Sequence, residues 1–239
     1  MKYRRAVALS LVALSAFLPA CVEREIPLED LRYTGVTRMK TGQYVQAEAA
    51  FQDFVNRMPG DPYMRAELGK AQLKNGKPDQ AAENLRIAYS QRPQDGETLD
   101  VLAEALVQSK QYDECFRLLR TAAADRGTAL DHIRLGKYAL RMGDTDTARV
   151  AFLTAARIDR GRSTEPQLAL CEFYAAINDR PMAVKRLAMA YYLAPEKTEV
   201  LEQCRALGVI AGPTFGIMPE EYVLGPAPAK PSNPSGGGN

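Results

Sequence analysis

The sequence of 239 residues has no tryptophan, one histidine and four cysteines. So few ligand side chains cannot build a Cys/His-rich zinc protein or a disulfide-dense scaffold. They leave His132 as the one possible centre of a histidine-based triad, and no nucleophile is brought to it by the surrounding pattern. A charge excess is missing too. Thirty-one Lys and Arg against 29 Asp and Glu give a formal +2, too little for a dedicated nucleic-acid binder. No HExxH, CxxC or strand-to-helix glycine loop occurs, and Gly236-Gly237-Gly238 closes a Pro/Gly-rich end instead. Carboxylates are frequent but sit at solvent-facing helical spacing. These absences point away from an enzyme and leave no metal, cofactor or small-molecule substrate to expect.

Long apolar runs are equally scarce, and the one present is at the start. Ala6 to Leu18 is shorter than the roughly 20 residues a membrane-spanning helix needs. Lys2, Arg4 and Arg5 precede it, the pattern of a secretory signal peptide over residues 1–20. Leu18-Pro19-Ala20-Cys21 then resembles a bacterial lipobox. That resemblance implies that Cys21 becomes the first mature residue and carries acyl chains, with residues 21–27 as a tether. Each buried methylene would add about 0.8 kcal/mol of membrane affinity. By the same resemblance Val22, in place of Asp, implies the outer membrane, facing the periplasm. Losing the leader removes three cations and no acid, so the formal charge falls from +2 to −1.

A repeat occupies the middle of the chain. Leu68-Gly69, Ala81, Leu85, Ala88 and Pro93 recur as Leu135-Gly136, Ala148, Phe152 and Ala155, and again as Leu170-Cys171, Ala183, Leu187, Ala190 and Pro195. Thr34-Gly35, Ala47, Phe51, Phe54 and Pro59 fit the same frame, as do Leu102-Ala103, Cys115, Leu119 and Ala122. Pro59 and Pro93 are 34 residues apart, and Pro195 lies a further 102 on, three times that period. The pattern resembles the tetratricopeptide repeat (TPR), a helix–turn–helix unit of 34 residues. The fold implied is all-α: a right-handed TPR α-solenoid of five repeats, at 28–61, 62–95, 96–128, 129–163 and 164–197, plus a C-terminal capping helix over 198–208. Small residues at Gly35, Gly69, Ala103, Gly136 and Cys171 are expected where the two helices of a unit meet, against Ala47, Ala81, Cys115, Ala148 and Ala183. The family's early aromatic position holds Leu31, Arg65, Leu99, His132 and Gln167, which implies looser packing in repeats two and five.

Residues 209–224 are apolar but aperiodic and are expected against the superhelix, in or beside its groove, or else as a partly ordered linker. Residues 225–239 read as a disordered Pro/Gly-rich tail. Cys115 and Cys171 fall in small-residue contact slots, and register brings Cys204 near the helix that carries Cys171. Free thiols and a Cys171–Cys204 disulfide are both open.

In the family the first helices line a concave groove. The matching positions include Tyr63, Lys70 and Lys74 of repeat two, and Glu97, Asp100 and Glu104 of repeat three. Repeat four adds Leu130, Ile133, Lys137, Leu140 and Arg141, and repeat five adds Leu168 and Glu172. They describe a basic entrance, an acidic middle and an apolar floor toward repeat four, suited to an amphipathic helix or extended peptide. The Lys/Asn pair with which chaperone-binding members hold a C-terminal carboxylate is missing. The resemblance implies a protein partner in a bacterial envelope machine (pilus, secretion or outer-membrane assembly), membrane attachment through the lipid, and no nucleic acid. An alternative is a docking platform for cell-wall enzymes or envelope sensing.

Overall fold

The computed structural model describes residues 25–222, so the leader, Cys21 and the Pro/Gly-rich end lie outside the described residues. Every α-helix among them fits the 34-residue frame. The first helices are α1 (Leu28–Lys40), α3 (Pro62–Lys74), α5 (Gly96–Gln108), α7 (Ala129–Arg141) and α9 (Thr164–Ala176). Each pairs with a second helix: α2 (Tyr44–Arg57), α4 (Pro78–Gln91), α6 (Tyr112–Arg126), α8 (Thr145–Asp159) and α10 (Arg180–Leu193). The terminal α11 spans Thr198–Ala206. No strand is present among the described residues, and the array is a TPR solenoid.

Local chemistry starts and stops these helices. Asp61 and Asp95 accept backbone N–H groups at the starts of α3 and α5, and Thr128 does so for α7. Such caps contribute about 1 kcal/mol each. At α11 the N-cap residue is Lys197, which makes no side-chain cap; its ammonium reaches back instead to Thr164 and Glu165 of α9. Between the two helices of every repeat the chain makes the same turn, in which an N–H bonds to the carbonyl five residues earlier. The pairs are Gln43–Arg38, Lys77–Gln72, Gln111–Leu106, Asp144–Ala139 and Asp179–Tyr174. The turn needs one residue in the left-handed region. Gly42, Gly76 and Gly143 supply it without strain, whereas Lys110 (φ 62°) and Asn178 (φ 61°) occupy it with side chains present.

Within a hairpin the small first-helix residue is met by a large side chain of the second helix. A Cβ on Gly69 would lie 2.5 Å from Leu85 Cγ, one on Gly136 2.7 Å from the Phe152 ring, and one on Gly35 would overlap Phe51. The contact therefore falls four residues beyond the expected alanines. One turn further along places the large side chain over the glycine, and the alanines seal the space beside it.

The core runs the length of the array. Leu31, Phe51 and Leu68 fill its first section, Leu85, Leu99 and Leu119 the next, and Phe152, Leu170 and Leu187 the last, where Val200 and Cys204 of α11 close it. Fully burying one such side chain contributes about 1.5–3 kcal/mol.

After α11 the chain turns back as a strap. Phe215 packs edge-on against Tyr191, and the Ile217 N–H donates to the Ala188 carbonyl at 3.2 Å. Gly216 lies close against the Tyr192 backbone, and Pro219 fits over Gly161, where a Cβ would come within 2.6 Å of the proline ring. At the end of the strap, Arg186 donates to Glu221 at 2.6 Å and to Gln167 at 3.0 Å, and Gln167 donates to Glu221 at 3.0 Å. All three side chains are buried. Two expectations change here. The strap lies along second helix α10 and the α8–α9 turn, rather than on the first-helix positions that line the groove. Gln167 does not loosen repeat five, because Arg186 and Glu221 fill the space that an aromatic ring would take.

Candidate protein-binding groove

The concave side is built from α1, α3, α5, α7 and α9, and each first helix adds one strip of side chains. Tyr63 stands at the edge of repeat two with its ring exposed, and the Arg92 guanidinium lies 3.7 Å above it. Lys70 is half-buried and bonds both Glu67, at 2.8 Å, and Glu97. Burial alone would lower the Lys70 pKa, but the two carboxylates outweigh it and hold the ammonium above its ordinary value. Lys74, Lys137 and Glu172 are exposed, Leu130 is half out of the protein, and Leu140 and Leu168 are partly buried.

The acidic middle is not a free acidic surface. Arg134 Nε donates to Asp100 at 2.6 Å, and Arg141 holds Glu104 with Nη2 at 3.1 Å. Bonds from Arg141 depress the Glu104 pKa, against the opposing effect of burial. Together with Lys70–Glu97, every predicted acid of repeat three is engaged by a cation of the adjacent first helix. The basic entrance is likewise tied up at Lys70. Ile133 is mostly buried, packing in the core with residues of α9, and still lines the smaller hollow of the groove beside Leu130.

Several groove residues were not anticipated. Tyr33 and Arg92 were absent from the expected set, as were Arg134, Tyr138 and the buried Asp131. Asp131 sits between Arg126 and Arg134 and accepts from Thr128 at 2.6 Å. Burial would raise its pKa, but these partners overcome that and lower it. Arg126 also donates to the Pro93 carbonyl at 2.8 Å, tying repeat two to repeat four. The one legible signal was spacing, since Asp100 and Arg134 are one 34-residue period apart.

Two hollows follow one another along the groove. The larger, about 730 Å³, is bounded by α1, α3 and the start of α5, with Tyr33, Val36, Tyr63 and Ala66 as its apolar surface. The smaller, about 400 Å³, lies over Leu130 and Ile133 between Asp100, Lys137 and Tyr138. Cys115, Cys171 and Cys204 are buried free thiols, so the disulfide alternative is not the one adopted. Burial pushes Cys115 up to about 11 and Cys171 up to about 12, away from the reactive thiolate. His132, half-buried on α7, is held below its ordinary pKa by burial.

Residues 31–170 match the family described as Tetratricopeptide repeat-like domain. The chain belongs to this family. Solved TPR structures resemble it over most of its length. A thermophilic TPR protein of Thermus thermophilus is 22% identical with a TM-score of 0.56, covering 77% of this chain and 100% of its own. A MamA protein is 20% identical with a TM-score of 0.53, covering 78% and 98%. The segment of MamA from residue 41 of Desulfovibrio magneticus RS-1 is 16% identical with a TM-score of 0.55, covering 72% and 97%. At these identities the likeness establishes fold alone. No curated protein matches the chain. No catalytic family is indicated, and TPR proteins are typically non-enzymatic scaffolds for protein–protein interaction.

Proposed function

We propose that this TPR protein is a non-enzymatic adaptor of the bacterial cell envelope, anchored by acylated Cys21 and holding a peptide or helix of its partner in the concave groove. The observation that carries the groove reading is the 730 Å³ hollow between α1, α3 and α5. It presents exposed Tyr33 and Tyr63 on rigid helices while the chain's own strap is spent elsewhere. Exposed aromatic rings on a rigid concave frame suit a side-chain anchor of a partner. The envelope reading rests on the sequence. A basic start, a short apolar run and a lipobox-like end agree on one address.

Two measurements test the parts separately. Labelling with a palmitate analogue is expected to mark the wild-type chain and not Cys21→Ser; equal labelling overturns the anchor. Capture from gently solubilised membranes is expected to bring down pilus, secretion or outer-membrane assembly components. A Tyr63→Asp/Leu130→Asp chain should lose them, and identical captures from both chains overturn groove binding.

A further inference from the structure

Resting on that groove reading, we propose that the hollow at repeats one to three selects a partner segment carrying a lysine or arginine beside an apolar anchor. The cation sits between Tyr33, Tyr63 and the rim carboxylates.

The two hollows differ in charge balance. The larger one is bordered by five carboxylates, Glu29, Asp30, Glu67, Asp95 and Glu97, against Arg32, Lys70 and Arg92. The pairing is explicit. Arg32 meets Glu29, Arg92 meets Asp95, and Lys70 alone serves both Glu67 and Glu97. Asp30 carries no ion pair among the described residues, and the Glu97 side chain is 74% exposed on its outer side. Helix N-termini offset part of this excess, since Asp95 caps α5, Glu97 lies in its first turn, and Glu29 and Asp30 lie in the first turn of α1. A positive charge can still be taken up at exposed Asp30, which has no side-chain ion pair among the described residues, and at Glu67 and Glu97, which share the single cation of Lys70.

Aromatic chemistry agrees. Arg92 over Tyr63 shows a guanidinium resting on a tyrosine face in this hollow, while Tyr33, 74% exposed, has its ring free of any such cation among the described residues. Val36 and Ala66 line the same hollow as the two tyrosines and offer an apolar surface to a neighbour of the incoming cation. The second hollow has the opposite balance, with Arg134, Lys137 and Arg141 against Asp100, and Lys137 without an ion pair among the described residues. A cationic segment is thus drawn to the first hollow and turned away from the second, which gives the groove a polarity.

The test uses a random display library of twelve-residue peptides selected on the immobilised wild-type chain. Enriched peptides are expected to carry Lys or Arg next to an apolar residue. Their affinity should fall about tenfold in an Asp30→Lys/Glu97→Lys chain, as expected for two part-exposed charge contacts, and should weaken with salt. A Lys137→Glu chain should retain them. Enriched peptides without a cation, or affinities unmoved by the double swap, overturn the proposal while leaving groove binding intact. Peptides that bind Tyr63→Ala and Leu130→Ala as well as wild type, or a selection that enriches no sequence family, overturn the groove reading itself. Circular dichroism and melting of each variant separate misfolding from lost recognition.

Discussion

The two ends of this solenoid handle the same problem differently. At repeats one to three the first helices leave an open hollow, and its charges are paired at the surface, as in Lys70 with Glu67 and Glu97. At repeat five the exposed flank is closed by the chain itself, through a strap whose last contact is the buried Arg186–Glu221–Gln167 cluster. Surface pairs contribute little, roughly 0–1 kcal/mol, whereas stripping one partner from a buried pair costs about 3–5 kcal/mol. Burial of charge thus marks the end where the chain closes on itself, and the open hollow marks the end where recognition is proposed.

That contrast can be broken most forcefully at Glu221. Glu221→Ala leaves Arg186 buried without its main acceptor and should destabilise the C-terminal end by about 3–5 kcal/mol. Hydrogen exchange resolves it locally, and the loss should appear in α9, α10 and the strap while α1–α4 keep their protection. The same pair predicts acid sensitivity. Burial pushes the Glu221 pKa up, but bonds and charge from Arg186, with Gln167, bring it below the ordinary carboxylate value. A folded pKa lower than the unfolded one gives stability that is complete above pH ~4.3 and is lost as pH falls through the folded value. Urea melts between pH 6 and 3 should therefore lose less in Glu221→Gln than in wild type.

A smaller effect checks that the two ends share one interior. Gly69→Ala and Gly136→Ala each press a methyl into Leu85 or Phe152 and should cost about 1–3 kcal/mol alike, measured by chemical denaturation. A marked difference between them would make the hairpins unequal inside as well as outside. Smaller again, Lys110→Gly relieves a left-handed lysine and should raise stability by about 1 kcal/mol. Least of all, Glu97→Gln should cost under about 1 kcal/mol in melts, with the difference vanishing in high salt.

Much of the repeat was legible because it is periodic. Gly35, Gly69 and Gly136 mark close helix contacts, and Gly42, Gly76 and Gly143 mark the turns, each at a fixed offset. Lys110 hid one turn, since nothing in Ser109-Lys110-Gln111 announces a left-handed residue. The groove was readable as a set of positions but not as a charge surface. Glu97, Asp100 and Glu104 look like an acidic stripe until Lys70, Arg134 and Arg141 arrive from neighbouring repeats. The strap was the least legible part. Its apolar content said that it must pack, yet Glu221 meets Gln167 and Arg186 across 54 and 35 residues with no periodic signature. Gln167 at a usually aromatic position was the one clue, and it signified a buried polar partner rather than loose packing.

The central claim is that the groove at repeats one to three is vacant for another protein because the strap is committed to α10. A photo-crosslinking residue placed at Tyr63, and in a second chain at Tyr192, tests it inside the cell. The account predicts adducts to a second protein from position 63 and an intrachain link to residues 213–222 from position 192. An intrachain link from position 63 to the strap, with no adduct to another protein, would contradict it.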